Sequence, residues 1–356
     1  MLTAEGSGSV DGPEVSPAAV TFRLADPGEY AAVRLRQDLD LPADRLAFTA
    51  TATGWELRLE RPPVARLEYL FDVTRRDGGH ETVPDPANPP RAGGPDGRSV
   101  VEFPDYRPPA WLAEPAPEGT RREVRLPAPS LGTPIDAVLW SPARVRDDAP
   151  LPLLVVHDGP EYDRQARLTR FLAIGVAAGR FPPLRAALLD PGMRDDWYSA
   201  DAGYARELAL SAVPRLTGEV ATTVRIGMGT SLGALAMLHA HRRHPDAFDR
   251  LFLQSGSFFH PRYDAHEARF ARYERVVEFV AGVLPTSSPE TRAERPVPTV
   301  LTCGAPEENV HNNRLIARAL LAQGYDVELH EVPDMHNFTA WRDAFDPHLT
   351  RLLARL

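Results

Sequence analysis

Hydrophobic and polar positions alternate with period two through the first hundred residues, then give way to longer apolar blocks after about residue 119. The alternation predicts short strands at Val20–Leu24, Ala31–Arg36, Leu46–Thr53, Trp55–Glu60 and Arg66–Thr74. Trp55, Leu57 and Leu59 alternate with Glu56, Arg58 and Glu60, giving one buried and one solvated face, and Thr53-Gly54 reads as a hairpin turn. Strands this short and this closely spaced predict a β-sandwich of immunoglobulin-like type over residues 18–105. In the second part, Leu151–Val156, Ala186–Asp190, Thr222–Met228, Phe248–Gln254, Thr299–Cys303 and Val327–Val332 are apolar strand candidates. Helical patterns at Leu168–Ala178, Tyr204–Leu216, Leu232–His244 and Asn313–Ala322 separate them. Strand and helix in alternation call for a mainly parallel sheet covered on both faces, an α/β domain over 119–356.

Composition refines this picture at a few points. The 36 prolines are twice the usual ~5% share and cluster at Pro84–Pro90 and Pro104–Pro117, so residues 106–118 are expected to form a stiff linker. A formal net charge of −9 argues against nucleic acid or an anionic membrane surface as the main partner. The single Cys303 excludes an internal disulfide framework and any multi-cysteine metal site. Met1–Pro17 is rich in Gly, Ser, Ala and acids, without a basic start and apolar core, and is expected to be a disordered N-terminus of a cytoplasmic protein.

The segment Gly229-Thr230-Ser231-Leu232-Gly233 fits G-x-S-x-G, and its frame matters more than the match. A predicted strand precedes it and good helix formers follow, the order a nucleophile elbow requires. Ser231 then sits at the positive end of a helix, in a strained conformation that flanking glycines accommodate. A serine hydroxyl needs a base that another group orients. His336, after the last predicted strand, is the base candidate. The acid is expected on the loop after the preceding strand, where Glu307 and Glu308 compete. The oxyanion requires two backbone N–H groups. Leu232 supplies one; the other comes from His157-Asp158-Gly159-Pro160-Glu161, and since Pro160 has no N–H the donor is Gly159 or Glu161.

Arg194 and Trp197 lie on a loop that follows a predicted strand and reaches the same rim. Arg194 either holds an anionic substrate bidentately or pairs with Asp195 or Asp196. Phe258 and Phe259 either wall an aromatic pocket or pack as core. His239, His241 and His244 do not share one helical face and are read as a solvated helix end, not a metal site. No cofactor is required for chemistry.

Taken together, His157-Asp158-Gly159, the Arg194 loop, Gly229–Gly233, Gln254-Ser255-Gly256-Ser257-Phe258-Phe259 and His336 with Trp341-Arg342 resemble the ferric enterobactin (enterochelin) esterase family, within the esterase D-like α/β-hydrolases. Asp85-Pro86-Ala87-Asn88-Pro89 and Ser99-Val100-Val101-Glu102-Phe103-Pro104 extend the resemblance to the sandwich, so it covers nearly the whole chain. It implies an α/β-hydrolase fold behind an N-terminal sandwich, and a cytoplasmic serine esterase that opens a catechol trilactone siderophore to release iron. It also places an acid about three residues after a glycine, with an asparagine further on. Gly304, Glu307 and Asn313 fit that pattern and favour Glu307 as the acid. Arg194 and the aromatic pair match the family's substrate-side arginine and aromatic wall. Three positions depart from the pattern: Pro160 replaces a residue with an N–H, Met335 replaces the glycine before the histidine, and Asn337 replaces an acid after it.

The expected partner is thus a small ester, a ferric siderophore by resemblance, with neither nucleic acid nor membrane involved. Acyl transfer or general carboxylester hydrolysis on the same triad is a second reading. A non-catalytic binding protein with a carbohydrate-binding-like sandwich is a third.

Overall fold

The computed structural model describes residues 12–89, 91–92, 97–146, 148–284 and 294–356. The chain divides into two compact units. The first runs to Arg107 and includes Pro333–Asn337; the second holds Pro108–Val332 and Phe338–Leu356.

The first unit contains β1 (Glu14–Val15), β2 (Ala19–Ala25), β3 (Tyr30–Arg36), β4 (Thr49–Ala50), β5 (Gly54–Glu60), β6 (Arg66–Arg75), β7 (His80–Val83) and β8 (Ser99–Glu102). One sheet has the order β1-β2-β5-β4; the other is β3-β6-β7, with β8 also paired to β6. Val20, Phe22, Leu57, Leu59, Leu67 and Phe71 alternate into a shared core, as period-two patterning requires. Trp55 is only half-buried, because its indole N–H reaches out to Asp26 Oδ2 at 2.9 Å. The β4–β5 turn closes over Thr51–Gly54, with the Thr51 N–H donating to the Gly54 carbonyl and Gly54 at φ +149°. The start of the unit corrects one expectation. Glu14 and Val15, placed within a disordered N-terminus, pair antiparallel with Thr21 and Val20. Residues 1–11 of that expected segment lie outside the described residues.

The second unit opens with β9 (Thr120–Leu126) and β10 (Ile135–Ser141) and continues with β11 (Leu151–Val156), β12 (Arg185–Leu189), β13 (Thr222–Thr230), β14 (Arg250–Gln254), β15 (Thr299–Gly304) and β16 (Val327–Val332). The sheet order is β16-β15-β14-β13-β11-β12-β10-β9. The six strands β11–β16 are parallel, while β9 and β10 add an antiparallel edge that apolar blocks alone did not disclose. The helices are α1 (Gly159–Ala166), α2 (Leu168–Ala177), α3 (Arg194–Trp197), α4 (Ala202–Glu207), α5 (Val213–Glu219), α6 (Leu232–Arg243), α7 (Tyr273–Val283), α8 (Val310–Ala322), α9 (Phe338–Asp343) and α10 (Thr350–Ala354). Two apolar cores form in this unit, one containing Leu153, Leu235 and Leu253, the other Leu154, Met228 and Phe252. Adjacent strand residues therefore feed opposite cores, which is why these strands read as continuous apolar runs. This is an α/β-hydrolase fold preceded by a β-rich domain.

Two expectations change here. The stretch predicted as one helix over Tyr204–Leu216 is α4 and α5 joined by a π-helical turn at Leu208–Ala212. Pro214, near the start of α5, has no N–H to donate back along the helix, and the wider turn absorbs that loss. The expected linker is also partly anchored. Trp111 is buried with its ring edge-on to Phe171 at 5.3 Å, so the chain joins the catalytic core well before residue 118. Among the described residues no helix is long and apolar enough to cross a membrane.

The end of α6 is not a solvated one. His239 is buried edge-on to Phe279, and His241 edge-on to Tyr325. Burial pulls each imidazole down to about 4, because the charged form loses its hydration. The unfolded chain binds these protons near the ordinary 6.5, and the folded protein does not until pH falls to about 4. Their stability contribution is therefore complete above about pH 6.5 and declines on acidification, by at most ~1.4 kcal/mol per pH unit for each residue. Urea unfolding is expected to show a lower midpoint at about pH 5 than at about pH 7.5, and a smaller drop in a His239→Phe, His241→Phe double variant. Equal drops in both proteins would place the proton uptake elsewhere.

Candidate active site

Ser231 occupies the turn between β13 and α6 with φ 55° and ψ −126°, a conformation that costs a non-glycine residue about 1–3 kcal/mol. Surrounding hydrogen bonds hold it there. Its N–H donates to the Gln254 carbonyl at 3.0 Å, and its carbonyl accepts from the N–H groups of Ala234 and Ser257, each at 3.1 Å. The flanking glycines are required by contact. A Cβ on Gly229 would lie 2.4 Å from the Gly233 carbonyl oxygen, and one on Gly233 would lie 3.0 Å from Asp158 Oδ2. Ser231 Oγ lies 3.0 Å from Ser257 Oγ. Leu232 opens α6 directly after Ser231, and the N–H of a first helical residue has no acceptor within the helix.

The strand beside β13 ends in the second expected element. His157 is fully buried, and burial pulls it down to about 4, so the ring is neutral. Its Nδ1 is 2.8 Å from the Gly233 carbonyl, which can only accept, so Nδ1 carries the proton. Nε2 then accepts from the Tyr204 hydroxyl at 2.9 Å. The Nδ1 bond ties the His157–Gly159 turn to the elbow. Asp158 follows at φ 50°, and α1 begins at Gly159, where a Cβ would meet the Leu188 backbone at 2.4 Å. Pro160 falls within the first helical turn, where its missing N–H costs no intrahelical bond. The N–H groups of Gly159 and Glu161 occupy the same turn and have no acceptor inside the helix. The Glu161 side chain itself turns toward Arg164, 3.8 Å away.

The two acid candidates separate clearly. Glu307 is buried and accepts from the Ser255 hydroxyl and the Gly304 N–H, both at 2.8 Å. The Cys303 thiol donates to its other oxygen at 3.7 Å. Ser255 stands at φ 44° and also accepts from the Trp341 indole N–H at 2.9 Å. Asn313 braces the adjoining loop, accepting from the Gly256 N–H and donating to the Gly256 carbonyl. Glu308 is exposed and meets His266 Nε2 at 2.8 Å. This bracing by Ser255, Asn313 and Trp341 was missed in the sequence, although all three lie in or beside the quoted motifs.

Other expected site residues serve differently. Arg194 pairs with neither Asp195 nor Asp196. Its Nε and Nη2 donate to the two oxygens of buried Asp158 at 2.7 and 2.9 Å, so that edge of the guanidinium is committed to the protein. Phe258 has no accessible surface and packs in the core, which corrects its reading as a pocket wall. Phe259 is nearly as buried and stacks on Tyr273. Trp197 is stacked on Tyr204 and covers Gly192, so it too is packing rather than an open wall. His336 lies on Pro333–Asn337, the segment of the first unit that joins β16 to α9.

The Esterase family matches residues 128–352, more than half of the chain. The chain belongs to that family. Its activity class is therefore hydrolysis of ester bonds. A search of curated protein sequences finds no match. Among solved structures, this esterase is similar to the enterobactin esterase from Shigella flexneri crystallised with enterobactin, at 20% identity and TM-score 0.73, covering 99% of this chain and 98% of that one. It is similar to the ferric enterobactin esterase from Salmonella typhimurium at 18% identity and TM-score 0.75, covering 96% of each. A ferulic acid esterase matches at 16% identity and TM-score 0.55, over 67% of this chain and 99% of its own. At these identities the likeness establishes the fold.

Gly229 gives a direct check on the elbow. Gly229→Ala is expected to lower unfolding stability by about 1–3 kcal/mol, because the new methyl must displace the Gly233 backbone. A variant as stable as the parent in urea would mean that the strand and helix do not pass this closely.

Proposed function

We propose that this protein is a serine esterase in which Ser231 is the nucleophile, His336 the base and Glu307 the acid that orients it. The observation that carries the reading is the backbone of Ser231, held at positive φ at the start of α6 in an esterase-family chain. In the reaction, Ser231 Oγ adds to the ester carbonyl while His336 takes its proton. The carbonyl oxygen becomes an oxyanion held by the Leu232 N–H and by the N–H of Gly159 or Glu161. Collapse breaks the ester bond, and the leaving alkoxide takes the proton from His336. Water, deprotonated by the same imidazole, then hydrolyses the acyl-serine. Glu307 stabilises the imidazolium formed in each half-reaction.

For the substrate we infer an enterobactin-like catechol trilactone, with the iron arriving as cargo of the ligand and released in the cytoplasm. What supports this is the extent of the likeness. The enterobactin esterases share the fold over nearly the whole chain, β-rich domain included, whereas the ferulic acid esterase matches only two thirds of it. In this reading Arg194 assists the substrate through its N–H groups not taken by Asp158, with Asp158 fixing its orientation.

A fluorophosphonate probe is expected to label the wild type and not Ser231→Ala, with ester turnover reduced at least about 10³-fold in that variant. A folded wild type that resists labelling would overturn the serine mechanism. Turnover of ferric trilactone above that of simple aryl esters, with opened chains bearing a free carboxyl and a free hydroxyl as products, supports the siderophore reading; products carried onto an added alcohol would point instead to acyl transfer. Glu307→Gln is expected to lower kcat by about 10²- to 10⁴-fold, and Glu308→Gln by no more than about twofold. The reverse ranking would move the acid to Glu308.

A further inference from the structure

We propose that the β-sandwich acts on catalysis by clamping the loop that carries His336, with Arg66 as the positioning residue. The inference rests on His336 being the base. Pro333–Asn337 is part of the first unit, although it links two elements of the second. Three contacts of different kind hold it. The Ala65 N–H donates to the Pro333 carbonyl at 2.7 Å, joining the loop to the backbone just before β6. Met335 is buried among the sandwich core residues, filling that core from the loop side. Arg66 is 2% exposed and spreads its guanidinium over three acceptors: Nη1 to Glu68 Oε1 at 2.9 Å, Nη2 to Asp334 Oδ2 at 3.2 Å and Nη2 to Asn337 Oδ1 at 2.8 Å.

These contacts grip the residues on both sides of His336. Asp334 also accepts from the Met335 N–H at 2.7 Å, so the charge anchored by Arg66 shapes the loop backbone. Asn337 closes the turn, its N–H donating to the Met335 carbonyl at 2.9 Å. Met335 and Asn337 are two of the positions at which this chain departs from the family pattern. Here the larger side chain fills the sandwich core and the neutral amide accepts from Arg66. A planar, forked cation suits this duty, since one guanidinium can bridge three separately placed acceptors. Misplacing a general base by about 1 Å can cost 10²-fold in rate, so the clamp acts on kcat rather than on substrate affinity.

The test uses the full-length protein and an aryl ester substrate, comparing wild type, Arg66→Met, Arg66→Lys, Asn337→Ala and His336→Ala. Each variant's folding is checked by its unfolding midpoint. Arg66→Met is expected to lower kcat and the fluorophosphonate labelling rate together by about 10- to 100-fold, with KM within about twofold. Arg66→Lys should fall between Arg66→Met and wild type, because it keeps the charge but not the fork. Asn337→Ala removes one acceptor without stranding a buried charge, so it should fold and lose kcat several-fold; it decides the matter if Arg66→Met does not fold. Folded Arg66→Met and Asn337→Ala with kcat within about twofold of wild type, beside an inactive His336→Ala, would overturn the clamp alone. An active His336→Ala would remove the base assignment and the clamp with it.

Discussion

The close passage of β13 and the start of α6 is the constraint on which the catalytic half depends. Gly229 and Gly233 touch backbone to backbone, with no room for a single methyl between them. That contact forces the sharp turn, and the turn forces Ser231 to positive φ. Strain of this kind persists only where surrounding bonds over-determine it, and here they come from Gln254, Ala234 and Ser257. The gain is a hydroxyl presented at the start of a helix, where unpaired N–H groups and the helix dipole favour developing negative charge.

Around this turn, buried polar groups satisfy one another in linked chains. His157 connects the Gly233 carbonyl to Tyr204, and Asp158 draws Arg194 inward. On the other side, Trp341 donates to Ser255 and Ser255 to Glu307. Buried polar groups left unpaired are expensive, so such chains resist small displacements and fix side-chain directions. The two chains meet the elbow from the ends of β11 and of β14 and β15, the C-terminal edge where ligands bind in open α/β sheets. Cys303 belongs to this arrangement as a donor to Glu307, and burial raises its thiol well above the ordinary range, so it is not a nucleophile.

The two units use charge differently. In the sandwich, Arg66, Glu68 and Asp334 form a buried ion cluster inside an apolar core. Replacing such clusters with apolar side chains is often neutral or stabilising, so their retention is weak evidence for stability and better evidence for specifying a geometry. In the catalytic unit buried Asp158 pairs with the partly exposed Arg194, and the pair fixes a turn. Asp334 and Asp158 each follow a strand of the parallel sheet, whereas Arg66 and Glu68 lie within β6.

Sequence alone determined what is encoded within a few residues. The glycine spacing around Ser231 and the alternation of strand and helix from β11 to β16 were legible, because period and turn chemistry are local properties. The antiparallel strands β9 and β10, the burial of Phe258 and the partner of Arg194 were not. Periodicity says that a residue has a buried face, not which side chain it meets there. Arg194 found its carboxylate 36 residues back along the chain, and Arg66 reached Asn337 across 271. His239 and His241 looked like a wet helix end because their polarity is visible in sequence, whereas Phe279 of α7 and Tyr325 of the turn before β16, which cover them, arrive only when distant parts of the chain pack. Tertiary structure decided these points because each depends on a partner that only folding brings within bonding distance.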